Sequence, residues 1–287
     1  MKNTVLITGA NSFIAKHIIP LLEGKYNLKF LTRNPKLENE YQWDVANHMI
    51  DEKALDDVDY IIHLAGAKLN DGTPLTDERK KIIYDSRIGA ANLIIEKLIA
   101  RNQTIKGLVS ASAIGYYGFH DDTLEIDENG KKGIGFAADL SDDWEKAADL
   151  FKTNGVATNV AKIRVSLVLG KENGIFPLYV SMLKQNKLEA LENNIQSVPW
   201  NHVEDMAGIF VFAVEHNLDG VYNSVAPQAV SQFNIYQAIS NELNLGENQI
   251  LQPFHGKHLV AKKIQEAGYQ FKFPSIESAV KDILSKL

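Results

Sequence analysis

No cysteine occurs in this chain, which excludes disulfides, thiolate metal sites and cysteine nucleophiles. No apolar run approaches the ~18 residues that a membrane-spanning helix needs. Neither sign of charge dominates: the formal net charge is −6, with acidic and basic residues interspersed. That balance argues against a nucleic-acid or anionic-membrane partner. The N-terminus enters a strand directly, without the apolar stretch and small-residue cleavage pattern of a secretory signal, so a soluble cytoplasmic protein is expected. The eight histidines, His17, His48, His63, His120, His202, His216, His255 and His258, include no pair at i,i+4 with an interposed Glu, and no metal site is expected. What is present is a 45% hydrophobic chain of 287 residues, enough for one large α/β domain or a domain with a smaller lobe.

The opening strand carries the most informative signal. Thr4-Val5-Leu6-Ile7 runs into Thr8-Gly9-Ala10-Asn11-Ser12-Phe13-Ile14-Ala15. A strand that turns abruptly into a helix presents the helix N-terminus to a dinucleotide pyrophosphate. Three glycines ordinarily serve there, for the tight turn, the backbone approach to phosphate and helix-on-strand packing. Gly9 keeps the first role, Ser12 stands at the second position and Ala15, a tolerated variant, at the third. Ser12 places a Cβ and a hydroxyl where phosphate would approach, and that hydroxyl can also donate a hydrogen bond to it.

Strand-like and helix-like segments alternate through the first 170 residues. Residues 60–66 and 106–112 read as buried parallel strands, 28–33 as a shorter strand stopped by Asn34-Pro35, and 160–169 as a further strand before Gly170. Helical rhythm runs over 76–100 and 139–152, the latter closed by Asn154-Gly155. Strands separated by helices imply right-handed crossovers and a doubly wound parallel sheet covered on both faces. After Gly170, helix-like stretches at 176–187, 203–215 and 234–244 are joined by short strands around 220–225, and an amphipathic helix follows at 276–284. The expectation is an α/β protein with a Rossmann dinucleotide-binding domain over 1–170. Residues 171–287 would form mainly a smaller mixed α/β substrate lobe, with some chain returning to the Rossmann sheet.

Further segments follow in order: Leu31-Thr32-Arg33-Asn34-Pro35, His63-Leu64-Ala65-Gly66-Ala67, Asp85-Ser86-Arg87-Ile88 and Ser110-Ala111-Ser112-Ala113-Ile114-Gly115-Tyr116-Tyr117-Gly118. Then come Asp143-Trp144-Glu145, Arg164, Val168-Leu169-Gly170, Trp200-Asn201-His202-Val203-Glu204-Asp205 and Asn223-x-x-Ala226-Pro227. The series resembles the extended short-chain dehydrogenase/reductase superfamily. Within it, the chain is similar to an atypical branch of the NAD-dependent epimerase/dehydratase group, labelled nucleoside-diphosphate-sugar epimerase. The resemblance spans essentially the whole chain. One departure lies at 188–199, where the branch carries a glycine-rich stretch and this chain has Leu188-Glu189-Ala190-Leu191-Glu192-Asn193-Asn194.

The cofactor reading combines this resemblance with residue chemistry. An NAD-preferring site places Asp or Glu at the end of the second strand, on the ribose 2′-hydroxyl. Here that strand ends in Thr32-Arg33 without a carboxylate, and Arg33 suits a 2′-phosphate and adenine stacking. NADP(H) is therefore expected, held by Gly9, Ser12, Phe13, Ile14, Thr32, Arg33, Leu64, Ala65 and Arg87. For Arg87 the alternative is a structural salt bridge to Asp85 or Glu145. Trp43-Asp44-Val45 would lie near adenine by resemblance, or Trp43 would be ordinary packing. His202 would shape the cleft or cap the helix beginning near Val203, with Glu204 and Asp205 complementing that helix's N-terminus.

Ordinary members of the superfamily use Tyr-x-x-x-Lys, the lysine lowering the tyrosine pKa. None of the ten tyrosines has a lysine four residues later. Matching Glu145 to the acidic residue past that motif puts Ala137 at the tyrosine position and Ser141 at the lysine position. Ser112 and Tyr117 are the catalytic candidates that remain. The alternative is that Gly115-Tyr116-Tyr117-Gly118 is a structural turn. Two functions stay open: an NADP-dependent oxidoreductase or epimerase acting on a small polar, nucleotide-sugar-like molecule, or a non-catalytic NADP(H)-binding sensor.

Overall fold

The computed structural model describes residues 2–69, 72–118, 125–185, 196–245, 256 and 258–286. In chain order its first elements are β1 (Thr4–Thr8), α1 (Phe13–Leu22), β2 (Asn27–Thr32), β3 (Glu40–Asp44), β4 (Met49–Ile50) and β5 (Tyr60–His63). Next come α2 (Asp77–Tyr84), α3 (Ala90–Ala100), β6 (Ile105–Ala113), β7 (Glu125–Ile126), α4 (Phe136–Thr153), β8 (Ala157–Val165) and β9 (Leu167–Leu169). The remainder is α5 (Phe176–Lys184), β10 (Trp200–His202), α6 (Val203–Glu215), β11 (Gly220–Ser224), α7 (Gln232–Glu242), β12 (His258–Leu259), α8 (Lys262–Glu266) and α9 (Ile276–Ser285).

Eight strands form one sheet in the order β11-β8-β6-β5-β1-β2-β3-β4, parallel except for β4 at the edge. The strand order reverses about β1, the arrangement of a doubly wound Rossmann sheet. All five residues of β1 are buried, as a strand flanked by neighbours and covered on both faces requires. Helices α1 and α6 pack together on one face, and α3 and α4 on the other. Trp43 is buried in this core, which selects the packing reading for it. No helix among the described residues is long and apolar enough to cross a membrane.

A second apolar cluster lies beyond the carboxyl edge of the sheet. It gathers Leu169, Phe176, Trp200, Tyr236, Ile276 and Ile283 from α5, α7, α9 and the parallel β9–β10 pair. The segments expected as one strand over 160–169 part at Ser166. Its hydroxyl donates to the Ser224 carbonyl at 2.6 Å, ending the ladder with β11, and the chain then crosses to pair with β10. The helix expected over 76–100 is likewise interrupted, by a π-helical turn at Asp85–Gly89. Residues 186–195 lie outside the described residues, so the divergent stretch beginning at Leu188 is not placed.

The C-terminal segment is fastened to α6 by a carboxylate. Asp205 is fully buried. Its Oδ1 accepts from the Lys272 N–H at 2.8 Å and the Tyr269 hydroxyl at 2.9 Å, and its Oδ2 accepts from the Phe273 N–H at 2.8 Å. Asp205 thus sits in the first turn of α6, as read from sequence, but its oxygens are committed to the tail. His202 caps the helix, accepting the Glu204 N–H on Nδ1 at 3.1 Å.

Asp205→Ala should strand the Lys272 and Phe273 N–H groups, while the Tyr269 hydroxyl keeps the backbone carbonyl of residue 205 at 3.1 Å. The substitution should lower stability by about 3 kcal/mol, measured by urea unfolding, and expose the segment after Ala267 to limited proteolysis. Unchanged stability would show that the tail is held by apolar packing alone.

Candidate functional site

The carboxyl edge of the sheet is built around Gly9. Its φ of +69° is left-handed, and a Cβ there would lie 2.8 Å from the Leu64 carbonyl carbon and oxygen. Glycine thus allows the β1–α1 turn to touch the strand end at Leu64-Ala65. Ser12 caps α1, its Oγ accepting the Ala15 N–H at 3.2 Å. Among the described residues the N–H groups of Phe13 and Ile14 have no acceptor, as expected of a first helical turn. Beside this turn β2 ends in the half-buried Thr32, and Arg33 beyond it is exposed, with no ion pair or side-chain hydrogen bond among the described residues.

Leu64-Ala65 is steered by Thr8 and His63, whose role was not read from sequence. Thr8 Oγ1 accepts the N–H groups of Leu64 and Ala65 at 3.2 and 3.1 Å. Its proton is then donated to His63 Nδ1 at 2.9 Å. That assignment leaves the proton on Nε2, 3.4 Å from the Arg87 carbonyl. The pattern stops β5 at His63, three residues before the expected end, and frees Leu64-Ala65-Gly66 to run along the sheet edge. Burial pushes the His63 pKa down to about 4, so the ring is neutral near pH 7.

At the other end of the edge, Ser112, Arg164 and Asn223 stand in register on β6, β8 and β11. Arg164 is buried and paired with Glu145 of α4, through Nε–Oε1 at 2.7 Å and Nη2–Oε2 at 2.9 Å. Ser112 donates to the same Glu145 Oε1 at 2.7 Å. Arg164 Nη1 donates to the Tyr117 hydroxyl at 2.7 Å, and that hydroxyl lies 2.8 Å from Asn223 Oδ1 and 3.0 Å from the Asp127 carbonyl. The Tyr116 ring covers the guanidinium, 3.6 Å from its carbon.

Ser112 and Tyr117 therefore do not stand as the sequence reading had them. Both side chains are almost wholly buried, at 1% and 0% exposure, and their hydroxyls are committed to this network. Burial pushes the Tyr117 pKa up to about 12, against the opposing effect of Arg164, so the phenol holds its proton at neutral pH. The Ala137 and Ser141 positions pack against Gly115, and Ser141 donates back to the Ala137 carbonyl at 2.7 Å. The network has a sequence signal that went unread. Arg164 interrupts an apolar central strand, and Glu145 lies on the buried face of α4 between Trp144 and Ala148; buried charges on facing elements demand each other.

Neither salt bridge considered for Arg87 is formed. Arg87 donates through Nη1 to the carbonyls of Ala67 at 3.1 Å and Ile83 at 3.0 Å, and its guanidinium stacks over Trp144 at 4.9 Å.

The profile of the NAD dependent epimerase/dehydratase family matches residues 5–225. The chain is 26% identical over 297 residues to an epimerase family protein of Mycobacterium leprae, across 97% of this chain and 95% of that one. Human epimerase family protein SDR39U1 (isoform 2), crystallised with NADPH, superposes with a TM-score of 0.81 at 24% identity, covering 99% of this chain and 100% of that one. The UDP-N-acetylglucosamine 4-epimerase of Bacillus cereus gives a TM-score of 0.78 at 16% identity, covering 98% of each chain.

Two measurements probe the network and the strand end. Glu145→Ala leaves Arg164 buried without its counter-charge and should cost about 3–5 kcal/mol in urea unfolding. Glu145→Gln keeps an acceptor and should cost less, and equal losses would mean that shape, not charge, matters there. His63 has a second signature. Between the unfolded pKa of about 6.5 and the folded value, the unfolded chain binds the extra proton, so stability falls as pH drops through that window. The slope for this histidine approaches about 1.4 kcal/mol per pH unit. His63→Gln should flatten the fall in urea midpoint between about pH 6.5 and about pH 4.5; an unaltered slope would assign it to other groups.

Proposed function

The chain belongs to the NAD dependent epimerase/dehydratase family, and we propose that it binds NADP(H) and acts as an epimerase or oxidoreductase on a small polar, nucleotide-sugar-like substrate. The observation that carries the cofactor preference is the end of β2. There Thr32-Arg33 offers an exposed guanidinium, unpaired among the described residues, at the position where a carboxylate would select NAD. The residues present fit such a group: Gly9 gives a backbone approach that a Cβ would close, and the open N–H groups of Phe13 and Ile14 suit a pyrophosphate. Ser12 keeps its proton available while its oxygen caps α1. Leu64 and Ala65 form the wall opposite. Human SDR39U1, similar in fold, was crystallised with NADPH, and the Bacillus cereus neighbour is an epimerase of a nucleotide sugar.

When bound, a nicotinamide dinucleotide supplies a hydride acceptor and donor. The protein's part is to hold it against the substrate and exclude water. The buried Arg164 network fixes the floor of the reacting end, with the half-buried Tyr116 ring laid over it. The missing Tyr-x-x-x-Lys pair and the buried Tyr117 favour a second reading, a protein that binds NADP(H) as a sensor without turning it over.

Calorimetry on Arg33→Ala tests the first claim. A charge-assisted hydrogen bond contributes roughly 1.5–3 kcal/mol, so NADPH should weaken roughly ten- to a hundredfold while NADH changes little. Equal loss for both would assign Arg33 to adenine stacking, and no NADPH binding by the parent would overturn the cofactor reading. Tight NADPH binding with no hydride exchange across a panel of nucleotide sugars would favour the sensor.

A further inference from the structure

Phe13 faces two ways. Its N–H is one of the two in the first turn of α1 that have no acceptor among the described residues. Its ring leaves that turn and lies over Gly170, where a Cβ would sit 2.4 Å from Phe13 Cζ and 3.0 Å from Val203 Cγ1. Gly170 is buried and its φ is not left-handed, so the backbone there does not require glycine. The space does: in a close-packed interior, only a residue without a side chain leaves room for the ring. The His17 ring, one helical turn on, meets Phe13 edge to face at 5.5 Å, a favourable aromatic geometry that braces it.

Gly170 and Val203 are the residues that directly follow β9 and β10. Those strands run parallel with Leu169 opposite His202 at their ends, so the ring is set at the joint carboxyl end of the pair. Leu169 and Trp200 belong to the second apolar cluster. The chain enters β9 from β8 across the break at Ser166, and leaves β10 through α6, which packs on α1. The β9–β10 pair is thus a root that joins the second cluster to the main sheet. A phosphate that fixes the N–H of residue 13 also fixes the backbone from which the ring projects, and the Gly170 notch leaves the ring no other seat. Linkage of this kind acts equally in both directions.

We propose that Phe13 is a positioning residue that joins the dinucleotide turn to the root of the second cluster, so that pyrophosphate binding and the seating of β9 and β10 are one event. The proposal rests on the reading of the α1 N-terminus as the NADP(H) site.

A double-mutant cycle on the full chain tests it, with NADPH affinity measured by calorimetry. Gly170→Ala puts a methyl group where the ring lies and should weaken NADPH by at least about tenfold. Phe13→Val clears the notch but keeps the N–H of residue 13, and in that background Gly170→Ala should cost less than about twofold. Unchanged affinity in Gly170→Ala would overturn the proposal, as would the same loss in both backgrounds. Hydrogen exchange gives a second readout that does not need Gly170→Ala to fold. Saturating NADPH should slow the amides of 167–169 and 200–202 in the parent and leave them unslowed in Phe13→Val. Equal slowing in both proteins would overturn the link through the ring. Failure of NADPH to bind the parent would be seen first and separately, as failure of the cofactor reading.

Discussion

The ion pair between Arg164 and Glu145 fixes one end of the sheet's carboxyl edge. It joins the carboxyl end of β8 to the buried face of α4, and Ser112, Tyr117 and Asn223 attach to it from β6, the turn after β6, and β11. Removing two charges from water costs several kcal/mol each, and attraction offsets that only when the geometry and the remaining hydrogen bonds are good. Here the pair is bidentate, the shared carboxylate accepts a hydroxyl, and the guanidinium finds a phenol oxygen and the Glu128 carbonyl. The interaction therefore contributes less to net stability than to fixing one geometry among elements that could otherwise slide.

This arrangement changes what the missing Tyr-x-x-x-Lys pair means. The Ala137 and Ser141 positions are not a gap: they form the small-residue face on which Gly115 packs. With Gly115 seated there, the following turn carries Tyr116 over Arg164 and Tyr117 beneath it. A bulky phenol at position 137 and the present turn would compete for the same space. In place of a tyrosine and a lysine on α4 the chain has a rigid polar network at the carboxyl ends of β6 and β8.

The legibility of the sequence followed the same physics. Apolar runs and turn residues gave the doubly wound sheet, because a strand covered on both faces has few ways to be written. The tight turn at Gly9 and the start of α1 after Ser12 were readable because they depend on local chain geometry. Ser112 and Tyr117 were placed on the correct strand end but with the wrong surroundings, since facing α4 and β11 depends on contacts distant in the chain. The break at Ser166 was hidden for the same reason: its hydroxyl ends the strand by reaching a carbonyl on β11. Thr8 and His63 looked like ordinary strand residues, and their function emerges only when two neighbouring strands align.

Two buried arginines stand at the carboxyl edge and are held in different ways. Arg164 is complete within the protein, with its charge and its donors answered by Glu145, Tyr117 and a backbone carbonyl. Arg87 has an equally constrained position, set by the π-helical turn, by two carbonyls and by the Trp144 ring, with no carboxylate paired to it among the described residues. The intervening Leu64-Ala65-Gly66 path, released by the Thr8–His63 bonds, runs from the Gly9 turn to the Arg87 guanidinium along one continuous edge.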